Sequence, residues 1–203
     1  MTAHYLASTP SPSPRGIAAW STQACGWCRA VARPDRQAIR GRGRRTVGTE
    51  DKAELARRAG ADHVIRYRDV DFVEVIGTSI GPKSIDVRYD GVGKSTFAGS
   101  LAVLTRRGTM VSFGNASGPV DPVTPLQLMQ GGSLYLTRPN LADYAVTPDE
   151  LARRAADLFG WYRDGWLDVT IGHEFPLRDA AEAHRLIESR GSVGKIVLVA
   201  SEG

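Results

Sequence analysis

From Thr46 to the C-terminus the chain alternates short apolar runs with amphipathic ones, and this alternation limits the fold more than any other feature. Glu50–Arg58 has helical spacing and is closed by Gly60. His63–Tyr67 is predicted as a strand and Val70–Ile76 as a short helix. Ile85–Val92 is a strand running into Gly93, and Ser95–Arg107 an amphipathic helix ended by Gly108. Thr109–Phe113 is a strand opening into Gly114-Asn115-Ala116-Ser117-Gly118. Pro125–Gln130, Thr147–Trp161 and Leu177–Ser189 are predicted helices, the second with the capping signal Thr147-Pro148-Asp149-Glu150. Ser133–Thr137 and Lys195–Ala200 complete the strands. Strands and helices in this rhythm predict an α/β fold, a mostly parallel sheet covered on both faces. Ligands of such sheets lie outside the C-terminal ends of the strands. The places to look are therefore Gly48–Lys52, Tyr67, Val92–Lys94 and Phe113–Gly118.

Residues 8–45 are different. They are rich in Pro, Ser, Gly and Arg, and neither a two-residue nor a 3.6-residue apolar period survives in them, so they are expected to be disordered. The formal charge of +4 comes from this stretch, because seven arginines and one acid, Asp35, lie between Arg29 and Arg45. Removing that stretch leaves a slightly acidic chain, so the basic balance is not a property of the fold. No apolar run approaches the roughly 18–20 residues needed to cross a bilayer. The N-terminus has neither a basic nor an apolar leader region, which makes the cytoplasm the expected compartment and membrane partners unexpected. Cys25 and Cys28 cannot make a disulfide framework, and a lone pair is half a zinc site at most, so no metal is expected. Arg40-Gly41-Arg42-Gly43-Arg44-Arg45 has the look of a basic nucleic-acid arm, but little aromatic interleaving accompanies it and no nucleic-acid partner is expected.

Several stretches are specific when taken together. These are Thr46-Val47-Gly48-Thr49 with Asp51-Lys52, Gly60-Ala61-Asp62-His63-Val64-Ile65 with Tyr67, and Tyr89-Asp90-Gly91-Val92-Gly93. To them are added Val111-Ser112-Phe113-Gly114-Asn115, Leu134-Tyr135-Leu136-Thr137-Arg138-Pro139, and the tail from Pro176 to Leu198. In this combination the chain resembles the zinc-independent NADPH:quinone oxidoreductases, the quinone reductase and zeta-crystallin branch of the medium-chain dehydrogenase/reductase superfamily. Met1–Ala7 resembles the helix that precedes the cofactor domain in the same proteins.

The resemblance implies a Rossmann-like doubly wound parallel sheet, here incomplete, with a C-terminal segment that would return to a missing GroES-like catalytic domain. The expected organisation is a preceding helix over 1–8, an aberrant segment over 9–45, a partial NADPH-binding domain over 46–165 and the C-terminal segment over 166–203. A site preferring the cofactor without the 2′-phosphate usually has an acid at the end of the second strand. Here Gly48-Thr49 takes that place with Lys52 one turn on, which favours a 2′-phosphate and hence NADPH. The resemblance adds Tyr67 as a phosphate or ribose contact, Val92-Gly93 as backbone passing close to the adenosine, and Phe113, Gly114 and Asn115 beside the nicotinamide. Arg138 and Lys195 are further cofactor contacts on the same ground. The implied reaction is hydride transfer from NADPH to a quinone or similar conjugated carbonyl, with no residue of this chain acting as acid or base. The residues shaping the quinone pocket are expected upstream of Met1. His63 and His184 are expected to be packing and surface residues. Homodimers are expected of complete relatives, through the edge strand Ser133–Thr137.

The family pattern that is absent from 8–45 persists in other reading frames. Read from the third base of one codon and the first two of the next, Pro10–Arg15 permits Phe-Pro-Leu-x-Pro and Ala19–Gln23 permits Leu-Val-His-Ala. In the other offset Cys25–Ala30 permits Ala-Gly-Gly-Val-Gly, and the Trp27–Cys28 junction is forced to glycine because TGG followed by TGY contains GGT. Residues from about 9 to about 45 therefore read as a frame-shifted translation of a strand, a glycine-rich loop and a helix. The alternatives are a genuine Arg-rich insert, a non-catalytic and unstable remnant that does not bind nucleotide, and a nucleic-acid-binding protein acting through the Arg-rich segment.

Overall fold

The computed structural model describes residues 19–21, 44–58, 61, 63–165, 169–189 and 191–200. The helix expected at Met1–Ala7, Cys25, Cys28, the arginines from 29 to 42 and the Gly60 cap lie outside these residues. Eight strands are described: β1 (Ala19–Ser21), β2 (Arg44–Val47), β3 (His63–Arg66), β4 (Ile85–Asp90), β5 (Leu104–Ser112), β6 (Tyr135–Thr137), β7 (Ile171–Pro176) and β8 (Lys195–Val199). The α-helices are α1 (Glu50–Arg58), α2 (Phe72–Ile80), α3 (Phe97–Ala102), α4 (Pro125–Gly132), α5 (Pro148–Arg163) and α6 (Ala180–Glu188).

The first six strands form one sheet in the order β3-β2-β1-β4-β5-β6, and all its neighbours are parallel. This is the order of the doubly wound dinucleotide-binding fold, in which the chain reverses direction across the sheet between β1 and β4. Side chains alternate between the two faces of β4 and β5. Val87 and Val111 pack with Phe113, Leu141 and Tyr144. Met110 belongs to the larger cluster with Phe72, Ile76, Phe97 and Leu134, supplied by α2, α3 and the segment after α4. Ala53 and Ala56 of α1 are fully buried against Val47 of β2, where small side chains let the helix approach closely.

Local chemistry explains the helix starts. Thr147 and Glu150 make the reciprocal capping box expected from the sequence, with Pro148 in the first turn. Thr124 and Gln127 repeat the device at α4. Asp71 caps α2 by accepting from the Val73 amide at 2.8 Å.

Three expectations change. The helix predicted over Ser95–Arg107 stops at Ala102, and β5 begins at Leu104. Leu104 is fully buried opposite Ile85, and Arg107 has φ of 60°, which no helix interior accommodates. The disorder expected through 8–45 gives way to strand at Ala19–Ser21 and Arg44–Arg45. There the ladder is supplied by neighbours: β1 lies between β2 and β4, with Trp20 opposite both Arg44 and Arg88, so pairing does not need an apolar pattern of its own. Finally, Ile171–Pro176 is an unforeseen strand, parallel to β8 in a separate two-stranded sheet. No helix among the described residues is long and apolar enough to cross a membrane.

A guanidinium lies deep in the sheet. Arg88 of β4 is fully buried, stacks over the Phe72 ring at 5.1 Å, and donates from Nε to Ser100 Oγ at 3.1 Å and from one terminal nitrogen to Thr46 Oγ1 at 3.2 Å. Its other terminal nitrogen has no hydrogen-bond partner. Burial pushes the Arg88 guanidinium down to about 10, and the nearby Asp90 charge opposes that shift.

Candidate functional site

Because the six strands are parallel, their C-terminal ends share one edge of the sheet. Ten of the eleven residues singled out from the sequence lie at or just beyond those ends: Gly48, Thr49 and Lys52 after β2, Tyr67 after β3, Val92 and Gly93 after β4, Phe113, Gly114 and Asn115 after β5, and Arg138 after β6. Lys195 is the exception. It opens β8 in the two-stranded sheet, where its amide donates to the Thr170 carbonyl.

At one end of this edge, Thr49 accepts the first helical hydrogen bond of α1 from Ala53, so Gly48 is the turn between β2 and the helix. The Tyr67 amide donates to the Val47 carbonyl, which brings the tyrosine beside that turn. A Cβ on Gly48 would stand 3.2 Å from the Tyr67 hydroxyl and 3.3 Å from Arg68 Nε. A Cβ here would make the phenol and the guanidinium give way by a few tenths of an ångström. Lys52 is half-buried in the first turn of α1. Arg68, exposed and next to Tyr67, was not foreseen. Its signal was its place, one residue past the tyrosine at a strand end.

Asp51 and Glu50 open α1 at this end, and Glu50 was passed over in the sequence. Its carboxylate is engaged by Arg57 at 2.7 Å and by Arg66 at 3.2 Å. The hydrogen bond from Arg57, with the charges of Arg57 and Arg66, holds it below the usual carboxylate range. Arg66 also reaches Asp69 at 3.0 Å. Beside these ion pairs, Tyr67, Arg68 and Lys52 bring hydroxyl and cationic groups of the kind suited to an anion.

The other end is built from backbone. Gly93 has φ of 88°, and a Cβ there would lie 2.7 Å from the Gly118 carbonyl oxygen and 3.1 Å from Asn115 Cα. A Cβ on Gly114 would lie 2.5 Å from the Gly91 carbonyl oxygen. The turn after β4 and the loop after β5 are thus in contact, and hydrogen bonds join them: Ser117 N to Val92 O at 2.7 Å and Lys94 N to Gly118 O at 3.2 Å. Ser117 Oγ donates to the Val92 carbonyl at 2.8 Å and accepts from the Ser95 amide at 3.0 Å. Arg138 donates to the Ser112 carbonyl at 3.0 Å, so its guanidinium is anchored at the root of the same loop.

The arrangement sets cationic and hydroxyl side chains at one end of the strand edge and side-chain-free backbone at the other, groups that could hold an extended phosphorylated ligand. A Cβ at Gly93 or Gly114 would collide with the backbone of the facing segment, so these glycines let the turn after β4 and the loop after β5 pack together, and bare backbone is what this end could offer a dinucleotide. No three His, Cys, Asp or Glu side chains that could hold a metal ion converge among the described residues.

Comparison with known proteins identifies the family. The profile of the zinc-binding dehydrogenase family matches residues 59–198. Quinone oxidoreductase 1 of Escherichia coli is 45% identical over 156 residues, 76% of this chain and 48% of that protein. The 2-haloacrylate reductase of a Burkholderia species is 41% identical over 155 residues, 76% of this chain and 46% of that protein. The solved structure of E. coli quinone oxidoreductase complexed with NADPH superposes with a TM-score of 0.86 at 36% identity, covering 98% of this chain and 62% of that one. The chain thus spans about half the length of the curated relatives it matches. It belongs to the zinc-binding dehydrogenase family and, within it, to the zinc-independent quinone oxidoreductase branch of the medium-chain dehydrogenase/reductase superfamily.

Proposed function

We propose that this chain forms the nucleotide-binding part of an NADPH-dependent reductase acting on a quinone or related conjugated carbonyl. The observation that carries the reading is the cluster over Gly48: a tyrosine hydroxyl and an arginine within van der Waals reach of one glycine, a lysine one turn on, and the neighbouring Glu50 held by two arginines. When bound, NADPH supplies the hydride. Lys52, Tyr67 and Arg68 hold the 2′-phosphate; Gly48 and Gly93 let backbone approach the adenosine. Phe113, Gly114 and Asn115 line the nicotinamide, and Arg138 borders that end. Lys195 has no assigned part in this arrangement. The chain's own residues bind and orient, and none acts as acid or base. The relatives support this reading through what they are called and what one of them holds.

The test is a fluorescence titration of the purified chain with NADPH and NADH, followed by NADPH oxidation with a quinone acceptor. Saturable binding that favours NADPH supports the reading, and equal or absent binding overturns it. One observation favours a second reading, a folded chain that does not bind nucleotide: between β1 and β2, where such folds carry the pyrophosphate loop, the sequence has no G-x-G-x-x-G. In the same proposal the complete protein is a cytoplasmic homodimer. Strand β6 is the edge of the sheet, and Tyr135 is exposed together with Leu126 and Met129 of α4. Light scattering that finds only monomer would remove that part.

A further inference from the structure

We infer that Asp90 is a positioning residue, the buried group that fixes the turn after β4 and through it the loop 113–118. Asp90 ends β4 and is fully buried. Burying a carboxylate is costly unless its lone pairs are filled. Here they are filled by the segment that follows it. The Val92 and Gly93 amides donate to one oxygen at 2.8 and 3.1 Å. The Thr96 hydroxyl lies 3.0 and 2.8 Å from the two oxygens, and the Ser100 hydroxyl donates at 2.6 Å. Every one of these donors belongs to the turn or to α3 behind it, so the carboxylate acts as an internal cap of the Gly93 turn.

The anchor has a counter-charge. Arg88 lies two residues earlier on the same face of β4, and its Nε donates to the Ser100 hydroxyl that in turn donates to Asp90. Its other arm reaches Thr46, two residues before Gly48. One buried polar chain therefore runs from the end of β2 through Arg88, Ser100 and Asp90 to Gly93. On the far side, Gly93 is packed without space against Gly118 and Asn115, and Ser117 and Lys94 bridge the two segments by hydrogen bonds. A displacement of the Gly93 turn must be passed on to 113–118, because nothing compressible lies between them. An apolar side chain could fill the volume of Asp90, but it could not hold two backbone amides and two hydroxyls in fixed directions.

The test is amide hydrogen exchange on the full chain, read separately over 91–96, over 113–118 and over β7 and β8 as a distant control. Asp90→Ala removes the acceptor and is expected to speed exchange at Lys94, Ser117 and Gly118 by about tenfold or more while β7 and β8 keep their rates. Asp90→Asn keeps an oxygen for the two amides and is expected to restore most of the protection. Thr96→Val, which removes one donor at nearly constant volume, is expected to give a smaller change confined to the same two segments; it serves where Asp90→Ala does not fold. Unchanged exchange over 113–118 in the folded variants overturns the inference, as does an increase spread evenly over the chain. The link to the cofactor rests on the functional reading above, and a second measurement separates the two. If wild type binds NADPH, Asp90→Ala is expected to weaken it by about tenfold and Asp90→Asn by much less. If wild type binds none, the functional reading fails, while the exchange pattern alone decides the role of Asp90.

Discussion

The two ends of the strand edge solve the same problem with different materials. Around Gly48 they are side chains: the half-buried Tyr67 and Lys52, the exposed Arg68, and the ion pairs of Glu50 with Arg57 and Arg66. Around Gly93 they are backbone atoms, held from beneath by Asp90 and from above by Ser117. Exposed ionic groups cost little to place and can be exchanged singly. A backbone cradle requires particular dihedral angles and empty Cβ positions, so one substitution disturbs the whole of it. In the proposed function the first end would decide which nucleotide binds, and the second would fix where the reactive ring lies.

Mutations can break this contrast, beginning with the largest expected effect. Gly93→Ala forces a side chain at φ of 88° into the Gly118 carbonyl and is expected to lower stability by about 2–3 kcal/mol, measured by urea unfolding. It should also weaken NADPH and NADH alike, because it acts on geometry and not on the phosphate. Lys52→Ala and Arg68→Ala are expected to weaken NADPH by about tenfold each while leaving NADH and the unfolding midpoint nearly unchanged, read by paired titrations. Equal losses for both nucleotides would erase the proposed division between the two ends. Tyr67→Phe removes a single neutral donor and is expected to cost NADPH about threefold to tenfold.

The smallest effect concerns pH. Burial pushes the Tyr89 phenol up to about 12 from its ordinary 10.0. The native chain therefore keeps a proton that the unfolded chain releases, and the corresponding stability is complete below pH 10 and lost as pH rises through about 12. Arg88, with its value lowered to about 10, works in the opposite sense over the same window but is common to both proteins compared. Tyr89→Phe is expected to lose stability less steeply than wild type when unfolding is followed at about pH 9 and about pH 11. Parallel slopes would show that the phenol is not held in this environment.

Much of the end built from side chains was legible in the sequence, because a residue at the end of a strand is located once the alternation is read. Gly48, Lys52 and Tyr67 were placed this way, and Arg68 could have been. The backbone-built end was legible only as glycines. Asp90 stood in plain view between Tyr89 and Gly91, but nothing in a strand pattern marks an acid as buried, since its partners are the amides and hydroxyls that follow it. Arg88 was hidden for the same reason: in an isolated strand it reads as the solvent-facing member of the alternation. Leu104 was assigned to a helix because its spacing from Leu101 suits one, whereas its pairing opposite Ile85 depends on β4. Strand β1 had no pattern at all. It lies within Ala19–Gln23, the stretch that permits Leu-Val-His-Ala in a shifted frame, and its neighbours supply the ladder that its own residues do not announce.

The central claim is that the end around Gly48 selects the 2′-phosphate, and the most direct test is to titrate the full chain with NADPH and NADH side by side. The account predicts saturable binding of NADPH that is tighter than that of NADH by about tenfold or more, with the difference abolished in the Lys52→Ala, Arg68→Ala double variant. Equal affinity for the two nucleotides, or no saturable binding of either, would contradict it.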